Sequence, residues 1–465
     1  MQRLLPLLSL LFCITLLHGQ KTAPDFVALQ DKINNYLSRQ DRPSLSIDVA
    51  VTRDGEIIYQ RTFNGEPGQR YPLASVTKPI TATAILQLAA AGRIDLDTPA
   101  KGYLSDTITF PDPGWEQVTV RHLLNHTAGL GMYYRVLYRD EPNEVPSVAT
   151  LIERHGFLFS APGQRFEYAN LGYAVLGEIV ERISGVPYGR YVRERIFASL
   201  GGKATGLFDP SISEDNYAPL FGISNDALPY VFTDTPGAGD LYGTAADLAL
   251  FGAAHLGHAS LETGRSVVVC AAGDDRNIEM ANPCQPYQFG WFYQRDTTGT
   301  VKLLWHDGGL DGAHSTLRLF PADDLVIAVT TNTTFTVGAA DSVAAILQTA
   351  LTEVPPAPNW PVTEGMPFAV DSSWHGKWTG NILTATDSFP FQLDFREDGT
   401  LVAAFLAPQS GMIFTGNQSI PLRMIVDHTS GTQQHFYAWL PLGIIADPAV
   451  KDDFHIVQLD LRRAG

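Results

Sequence analysis

The order of apolar and polar positions predicts that the folded part of the chain begins with a β-hairpin. Apolar and β-branched residues fill 47–51 and recur at 57–59, and Asp54-Gly55 lies between them. Asp-Gly is a favoured two-residue hairpin turn. The chain is therefore expected to start with strands.

A helical period replaces this alternation further along the chain. Ile80, Ala84, Ile85 and Leu88 recur at the spacing of one helix face, and Gly92 supplies a C-terminal stop. Similar patterns predict helices within 119–130 and at 171–183, 246–251 and 342–353.

Strand character returns between the last two predicted helices. Apolar and β-branched runs predict strands at 289–293, 301–305, 316–320 and 325–329. This order indicates an α/β (α+β) fold, in which one antiparallel sheet is assembled from both ends of the domain, is flanked by helices and receives a large helical insertion. A cleft between the sheet and the helical lobe is the expected site.

The composition changes beyond residue 354. Four prolines between 355 and 361 mark a stiff linker, which we place at 355–367. Beyond it, 391–405 and 457–461 alternate as strands do, so residues 368–465 are expected to form a small C-terminal all-β barrel. The main domain then spans 20–354.

The first 19 residues are predicted to be a signal peptide. Met1-Gln2-Arg3 precedes an apolar run over 4–17 that is too short to span a bilayer comfortably, and Lys21 follows. We expect a secreted or periplasmic protein without stable membrane insertion after cleavage; an uncleaved anchor is the alternative. In an exported protein Cys270 and Cys284 could form a disulfide, and two free thiols are the alternative.

Composition narrows the class of function. Of 465 residues, 45% are hydrophobic and 17% are charged, which is typical of a globular enzyme with a large core. The formal net charge of −17 tells against a nucleic-acid partner and against an anionic membrane surface, because phosphate binding requires a basic surface. The partners should be small molecules, and the oligomeric state stays open.

Ser75 and Lys78 form the first candidate site. Residues three apart share a helix face, so the Lys78 amine can reach the Ser75 hydroxyl if a helix begins near Ser75, and Pro79 fits only near such a beginning. A serine in a first helical turn also lies among backbone N–H groups that can bind an oxyanion. The pair is a nucleophile beside a base, although Ser-x-x-Lys also arises by chance.

Two further motifs carry side chains suited to chemistry. Tyr168-Ala169-Asn170 precedes a predicted helix, and a phenol near an ammonium is expected to lose its proton more easily. His306-Asp307-Gly308-Gly309 is predicted at a strand end, where glycines let a substrate approach. Taken alone, each of these residues is more often structural.

His122 and His126 are spaced i, i+4 and could share a metal. No third ligand follows at a recognisable spacing. We favour structural hydrogen bonds for both residues and expect neither a metal nor a cofactor.

Taken in order, the three motifs resemble the Ser-x-x-Lys, Tyr-x-Asn and Lys/His-x-Gly triplet of the class C β-lactamase and penicillin-binding serine hydrolase family. Segments 123–130, 238–241 and 244–248 also look like segments of that family. The likeness covers about residues 25–353 and implies a β-lactamase/transpeptidase-like fold. The C-terminal region looks like the lipocalin-like domain of some exported members.

The resemblance implies a catalytic role for three residues. Ser75 would be the acylated nucleophile, and Lys78 would activate it. Tyr168 would serve as general base or proton shuttle. Whether Lys78 or Tyr168 takes the first proton stays open.

The resemblance also implies the substrate-binding groups. Asn170 would bind a substrate amide, His306 would line the opposite wall, and the N–H groups of Ser75 and Gly309 would form the oxyanion hole. Many members have a lysine where this chain has His306, and a largely neutral imidazole attracts a substrate carboxylate less. Trp305, where members commonly have a small residue, is expected to narrow the pocket.

We therefore expect an exported serine hydrolase that forms an acyl-enzyme on Ser75 and hydrolyses small esters, amides or peptides, as an esterase or D-amino-acid peptidase does. A β-lactamase or D,D-carboxypeptidase is one alternative. A non-catalytic, penicillin-binding-like ligand sensor is the other.

Overall fold

The structure is a computed structural model. It describes residues 24–131, 133, 135–139, 145–158, 160–164, 166–208, 213–222, 225–263, 287–334, 337–356, 375–383, 388–397, 401–405, 420–430, 433–439 and 458–463. The predicted signal peptide, most of the predicted linker, Cys270 and Cys284 lie outside these residues.

The helices, in chain order, are α1 (Phe26–Leu37), α2 (Thr77–Ala90), α3 (Val120–Leu124), α4 (Val148–His155), α5 (Asn170–Ser184), α6 (Tyr188–Tyr191), α7 (Pro236–Gly239), α8 (Ala245–His255) and α9 (Ala339–Leu351). Short 3₁₀ turns occur at Ala74–Val76, Ala100–Tyr103, Pro113–Glu116, Ala198–Leu200 and Glu214–Asn216, and a π-helical segment at Val192–Phe197.

The strands before residue 260 are β1 (Ile47–Arg53), β2 (Glu56–Phe63), β3 (Tyr71–Pro72), β4 (Val136–Tyr138), β5 (Gly206–Leu207), β6 (Leu220–Phe221), β7 (Ala227–Leu228), β8 (Val231–Thr233) and β9 (Leu241–Gly243). Those after it are β10 (Tyr287–Gln288), β11 (Trp291–Arg295), β12 (Val301–Leu310), β13 (Ala313–Phe320), β14 (Leu325–Thr331), β15 (Gly376–Leu383), β16 (Ser388–Phe395), β17 (Leu401–Phe405), β18 (Ile420–Ser430), β19 (Gln433–Trp439) and β20 (Gln458–Arg463).

A seven-stranded sheet organises the main domain. Its order is β10-β11-β12-β13-β14-β1-β2, and its pairs are antiparallel. Because β1 pairs with both β2 and β14, the sheet joins the two ends of the domain around a largely helical insertion. The predicted α+β architecture is confirmed.

The first hairpin forms as its turn residues require. Asp54 and Gly55 have φ angles of 52° and 82°, which Asp and Gly tolerate and most residues do not. Near 290 the prediction is wrong: Phe289 and Gly290, with φ angles of 47° and 88°, form the turn between β10 and β11 and not the start of one strand. Phe289 is apolar and has no turn preference, so this residue does not indicate a left-handed turn in the sequence.

Each face of the sheet covers its own core. Along β1, Ala50 faces a cluster shared with α2, α5 and α8, whereas Val49 and Val51 face a cluster shared with α1 and α9. Side chains alternate between the faces of a strand, so β1 is apolar on both sides. The sheet is therefore the middle layer, and the helical lobe rests on one face of it.

The C-terminal strands form a separate antiparallel sheet with the order β19-β18-β17-β16-β15-β20. The predicted strands around 391–405 and 457–461 are confirmed. Among the residues that the structure describes, β19 and β20 stay at opposite ends of this order. Closure into a barrel and the lipocalin likeness therefore stay predictions.

Within the described ranges, none of the helices has both the length and the apolar character needed to cross a membrane.

Candidate active site

Ser75 lies in the 3₁₀ turn Ala74–Val76, which runs directly into α2. Pro79 occupies the first turn of α2, where its missing N–H does little harm, as the sequence predicts. Ala74 has a φ of 46°, in a region that residues with a side chain rarely adopt. The candidate nucleophile therefore follows a strained residue at a sharp turn.

The Lys78 amine reaches the Ser75 hydroxyl. Lys78 Nζ lies 3.0 Å from Ser75 Oγ and donates to the carbonyl oxygen of Ala238 at 2.9 Å. The Lys78 side chain is completely buried, and this burial lowers the pKa of Lys78 well below its usual 10.5. An amine with a lowered pKa loses its proton more readily and can then accept the proton of the hydroxyl.

The Ala238 carbonyl, which accepts the hydrogen bond from Lys78, lies on α7, and α7 packs closely against its neighbours. Thr81 Oγ1 donates to the Gly237 carbonyl oxygen at 2.6 Å. A Cβ on Gly237 would lie 2.3 Å from the carbonyl oxygen of Tyr173, so only glycine allows α7 to approach α5 this closely. This packing fixes Ala238 as an acceptor beside Lys78.

Tyr168 completes a triad of side chains with Ser75 and Lys78. Lys78 Nζ lies 4.7 Å from the centre of the Tyr168 ring, and the phenol interacts with the Ser75 side chain. Burial raises the pKa of Tyr168 above its usual 10; the interaction with Ser75 opposes this rise, and the Asp307 carboxylate adds to it. The expectation that the amine would ease ionisation of the phenol is wrong, because burial disfavours the charged form of both groups.

Asn170 is the first residue of α5, one position before the predicted start. Its side chain is 7% exposed, and Nδ2 donates to the Tyr133 carbonyl oxygen at 2.8 Å. This bond fixes the orientation of the amide. Its oxygen is then the atom suited to accept a substrate N–H.

His306 lies within β12 and not at a strand end, because the strand continues through Gly308 and Gly309 to Leu310. Its Nδ1 donates to the Asp307 carbonyl oxygen at 2.7 Å, which makes Nε2 an acceptor, and Nε2 lies 3.5 Å from the Tyr287 hydroxyl. Burial first, and Lys78 second, lower the pKa of His306 to about 3. The imidazole is neutral at physiological pH.

The backbone of β12 passes next to the nucleophile turn. A Cβ on Gly308 would lie 2.9 Å from Ser75 N and 2.3 Å from the Leu73 carbonyl oxygen. Gly309 follows and pairs with His314. The amides of Ser75 and Gly309 thus come from adjacent backbone segments, as an oxyanion hole requires.

The predicted site residues come together, but they differ in access to solvent. Three are partly exposed (Ser75, Tyr168 and Gly309) and three are buried (Lys78, Asn170 and His306). A substrate carbonyl can therefore meet the nucleophile, the phenol and the β12 backbone, while the buried groups act from behind them.

Trp305 does not narrow this site. It packs with the cluster on the opposite face of the sheet, and its ring stacks on Phe292 with centres 5.6 Å apart. Neighbouring residues of a strand point to opposite faces. Because His306 faces the site, Trp305 points to the other face of the sheet. The expectation of a narrowed pocket is wrong.

His122 and His126 make structural hydrogen bonds, as predicted. His122 Nδ1 accepts from the N–H of Thr119 at 3.2 Å and helps to cap α3, and His126 Nδ1 accepts from the N–H of Ala169 at 3.1 Å. No three His, Cys, Asp or Glu side chains are grouped to hold a metal ion in the described part of the chain.

Sequence reasoning missed the neighbours that hold the site residues in place. They are backbone carbonyls and buried phenols brought in from distant segments: Ala238, Tyr133, Tyr173 and Tyr287. No local motif marks them, since each contributes through tertiary contact alone.

A family model described as Beta-lactamase matches residues 29–351. The chain belongs to the beta-lactamase family. The expected family is therefore confirmed over the main domain.

Individual relatives agree with this membership. The putative penicillin-binding protein PbpX of Bacillus subtilis (strain 168) is 29% identical over 233 residues, 47% of this chain and 56% of that protein. Esterase EstB of Burkholderia gladioli is 34% identical over 180 residues, 34% of this chain and 45% of that protein. The chain thus spans only about half the length of these relatives.

Among solved structures, a class C beta-lactamase superposes with a TM-score of 0.56 at 17% identity, covering 70% of this chain and 96% of that one. At 17% identity this similarity establishes the fold alone.

Proposed function

We propose that this protein is a serine hydrolase that forms an acyl-enzyme on Ser75 and hydrolyses small esters or amides. The observation that carries the proposal is the buried Lys78 amine 3.0 Å from Ser75 Oγ. A lysine activates a serine only if its amine can be free of a proton, and burial lowers the pKa of Lys78 in that direction.

The geometry supports a two-step acyl transfer. Lys78 accepts the proton of Ser75 Oγ as that oxygen bonds to the substrate carbonyl carbon, and the amides of Ser75 and Gly309 bind the resulting oxyanion. The proton passes to the leaving group, directly or through the Tyr168 hydroxyl, as the carbonyl re-forms. Water then attacks the acyl-enzyme and gives a proton to the same base, and the acyl bond to Ser75 breaks as that proton returns to Ser75 Oγ, which releases the acid and restores the free amine.

The environment of His306 supports neutral acyl groups as substrates. The position where many family members carry a lysine holds a buried imidazole with a pKa of about 3. A neutral ring offers little attraction to a substrate carboxylate. A relative named as an esterase is consistent with this substrate class.

A fluorophosphonate probe tests the nucleophile. Mass spectrometry of the labelled protein should locate the adduct on Ser75, and p-nitrophenyl ester hydrolysis should disappear in Ser75→Ala. An unlabelled Ser75 in the folded protein would overturn the proposal. Labelling without turnover of any ester or amide would favour the ligand-sensor alternative.

A comparison of the wild-type protein with Ser75→Ala on nitrocefin distinguishes the proposed esterase or amidase from a β-lactamase. Nitrocefin carries a carboxylate, so its hydrolysis by the wild-type protein should stay close to that of Ser75→Ala. Efficient nitrocefin turnover, or release of D-alanine from acyl-D-alanyl-D-alanine, would instead favour a β-lactamase or D,D-carboxypeptidase.

Export is a separate part of the proposal. Residues 1–19 have the basic start and apolar run of a signal peptide. Mass spectrometry of the secreted or periplasmic form should show an N-terminus near residue 20, and an intact N-terminus in a membrane fraction would contradict it.

A further inference from the structure

Ser315 links the strand behind the site to the turn that carries the nucleophile. It lies on β13, is fully buried, and its Oγ donates to the Leu73 carbonyl oxygen at 2.6 Å. Leu73 stands two residues before Ser75. The bond therefore joins the sheet to the backbone next to the nucleophile.

The link is possible because Gly308 has no side chain. Gly308 pairs directly with Ser315, and a Cβ on it would lie 2.6 Å from Ser315 Oγ and 2.3 Å from the Leu73 carbonyl oxygen. Any side chain at 308 would displace both groups. The glycine, the serine and the nucleophile turn thus form one packed contact.

Leu73 is anchored from several directions. Its N–H donates to the Leu241 carbonyl oxygen at 2.7 Å, and its own carbonyl accepts from the N–H of Val76 at 3.1 Å as well as from Ser315. Ala74, with its φ of 46°, lies between this anchor and Ser75. A strained backbone persists only where its surroundings hold it, so the contacts of Leu73 keep the turn in this shape.

We propose that Ser315 is a positioning residue for the oxyanion hole. Its bond to Leu73 sets the separation between the Ser75 amide on the turn and the Gly309 amide on β12, which is the strand paired with β13. This assignment rests on the proposed acyl transfer at Ser75. Two amides bind an oxyanion well only at the correct spacing, and the loss of one such donor typically lowers the rate about a hundred- to a thousandfold.

Ser315→Ala tests the assignment, with Thr331→Val as its matched control. Thr331 is also fully buried in the same sheet, and its Oγ1 donates to a backbone carbonyl, that of His314, at 3.2 Å. Both variants lose one buried hydroxyl bond to a carbonyl, so both should lower the melting temperature. Only the first loses a bond to the nucleophile turn.

For Ser315→Ala we expect kcat for a p-nitrophenyl ester to fall about tenfold, less than for loss of a whole donor, with KM within about twofold. The affinity for a boronic acid, which forms a tetrahedral adduct on the serine, should fall by a similar factor. Thr331→Val should retain the wild-type kcat and boronate affinity. An unchanged kcat in Ser315→Ala, or an equal loss in Thr331→Val, would overturn the assignment.

The two proposals fail in different ways. If the wild-type protein is labelled on Ser75 and turns over esters while Ser315→Ala matches it, only the role of Ser315 is wrong. If wild-type Ser75 is neither labelled nor needed for turnover, the proposed function fails and the role of Ser315 fails with it.

Discussion

The imidazole of His126 lies against the ring of Tyr168, with ring centres 4.2 Å apart, while its Nδ1 accepts the N–H of Ala169. His126 thus contacts both the side chain of Tyr168 and the backbone that follows it. Lys78 Nζ lies near the same ring. The Tyr168 ring is therefore held by packing, and its hydroxyl is left to interact with Ser75.

This packing makes Tyr168→Phe an informative variant. The ring contacts remain, so the fold should be kept, while the loss of the hydroxyl removes a proton shuttle. We expect kcat/KM for p-nitrophenyl esters to fall about a hundredfold, the low end of what general acid–base groups contribute.

Tyr287→Phe is the control for that experiment. Tyr287 is a neighbouring phenol that is buried, and its hydroxyl lies 3.3 Å from the Tyr173 hydroxyl and 3.5 Å from His306 Nε2, whereas the Tyr168 phenol interacts with Ser75. Its kcat/KM should change by less than about threefold, which is small beside the loss of a general acid–base group. Equal losses in the two variants would show that the Tyr168 hydroxyl acts only through the buried network.

Lys78→Met should abolish turnover, because a thioether of similar length fills the space without accepting a proton. We expect kcat/KM to fall by about a thousandfold or more. In the wild-type protein the base is the free amine, so activity should decline as the pH falls through the pKa of Lys78. Because burial lowers that pKa, the decline should lie well below pH 10.5, and an activity that rises only near that value would contradict the neutral-amine mechanism.

His306→Lys tests the assignment of substrate charge. A cation at this position should raise the ratio of nitrocefin to p-nitrophenyl ester turnover by about tenfold, the effect of about 1.4 kcal/mol of added attraction to the carboxylate. Burial of the new charge should lower the melting temperature. The ratio is the measurement, since it cancels a general loss of activity, and an unchanged ratio would contradict the role given to His306.

Asp48→Asn should alter the pH dependence of stability. Asp48 is buried on β1, where it accepts from Thr62 Oγ1 at 3.0 Å and from the Ala245 N–H at 2.9 Å, and burial raises its pKa to about 6. The folded state then binds this proton more tightly than the unfolded state, so the contribution of Asp48 to the unfolding free energy decreases as pH rises from about 4 to about 6 and is level above.

Asparagine cannot lose that proton. Relative to wild type, the unfolding free energy of Asp48→Asn should therefore increase over the same window, by up to about 1.4 kcal/mol per pH unit, and stay constant above pH 6. Urea unfolding at pH 4, 5, 6 and 8 measures it. A difference that is independent of pH would show that the carboxyl titrates normally.

The sequence predicts most elements whose local pattern and tertiary role agree. The Asp54-Gly55 turn, the start of α2 at the nucleophile and the end of α5 before Gly185 all follow from residue preferences that the fold also uses.

Prediction from the sequence fails where tertiary contact overrides local preference. Gly308 and Gly309 weaken a strand, so a strand end is expected there, yet β12 continues because Gly308 allows it to touch the turn before Ser75. The protonation of Tyr168 and Lys78 depends on burial, which single residues do not reveal. Trp305 differs, because strict alternation from a site-facing His306 would have placed it correctly.

The pairing of β1 with β14 also fixes when the site can appear during synthesis. Ile47 pairs with Thr331, so β1 cannot join the sheet beside β14 until a partner strand nearly three hundred residues later has been made. Ser75 and Lys78 leave the ribosome early, but β12 and β13, which complete the site, come only with that late segment. A nascent chain that stops short of β12 thus carries the nucleophile without an oxyanion hole, and reactivity should appear only when synthesis of the domain is nearly finished.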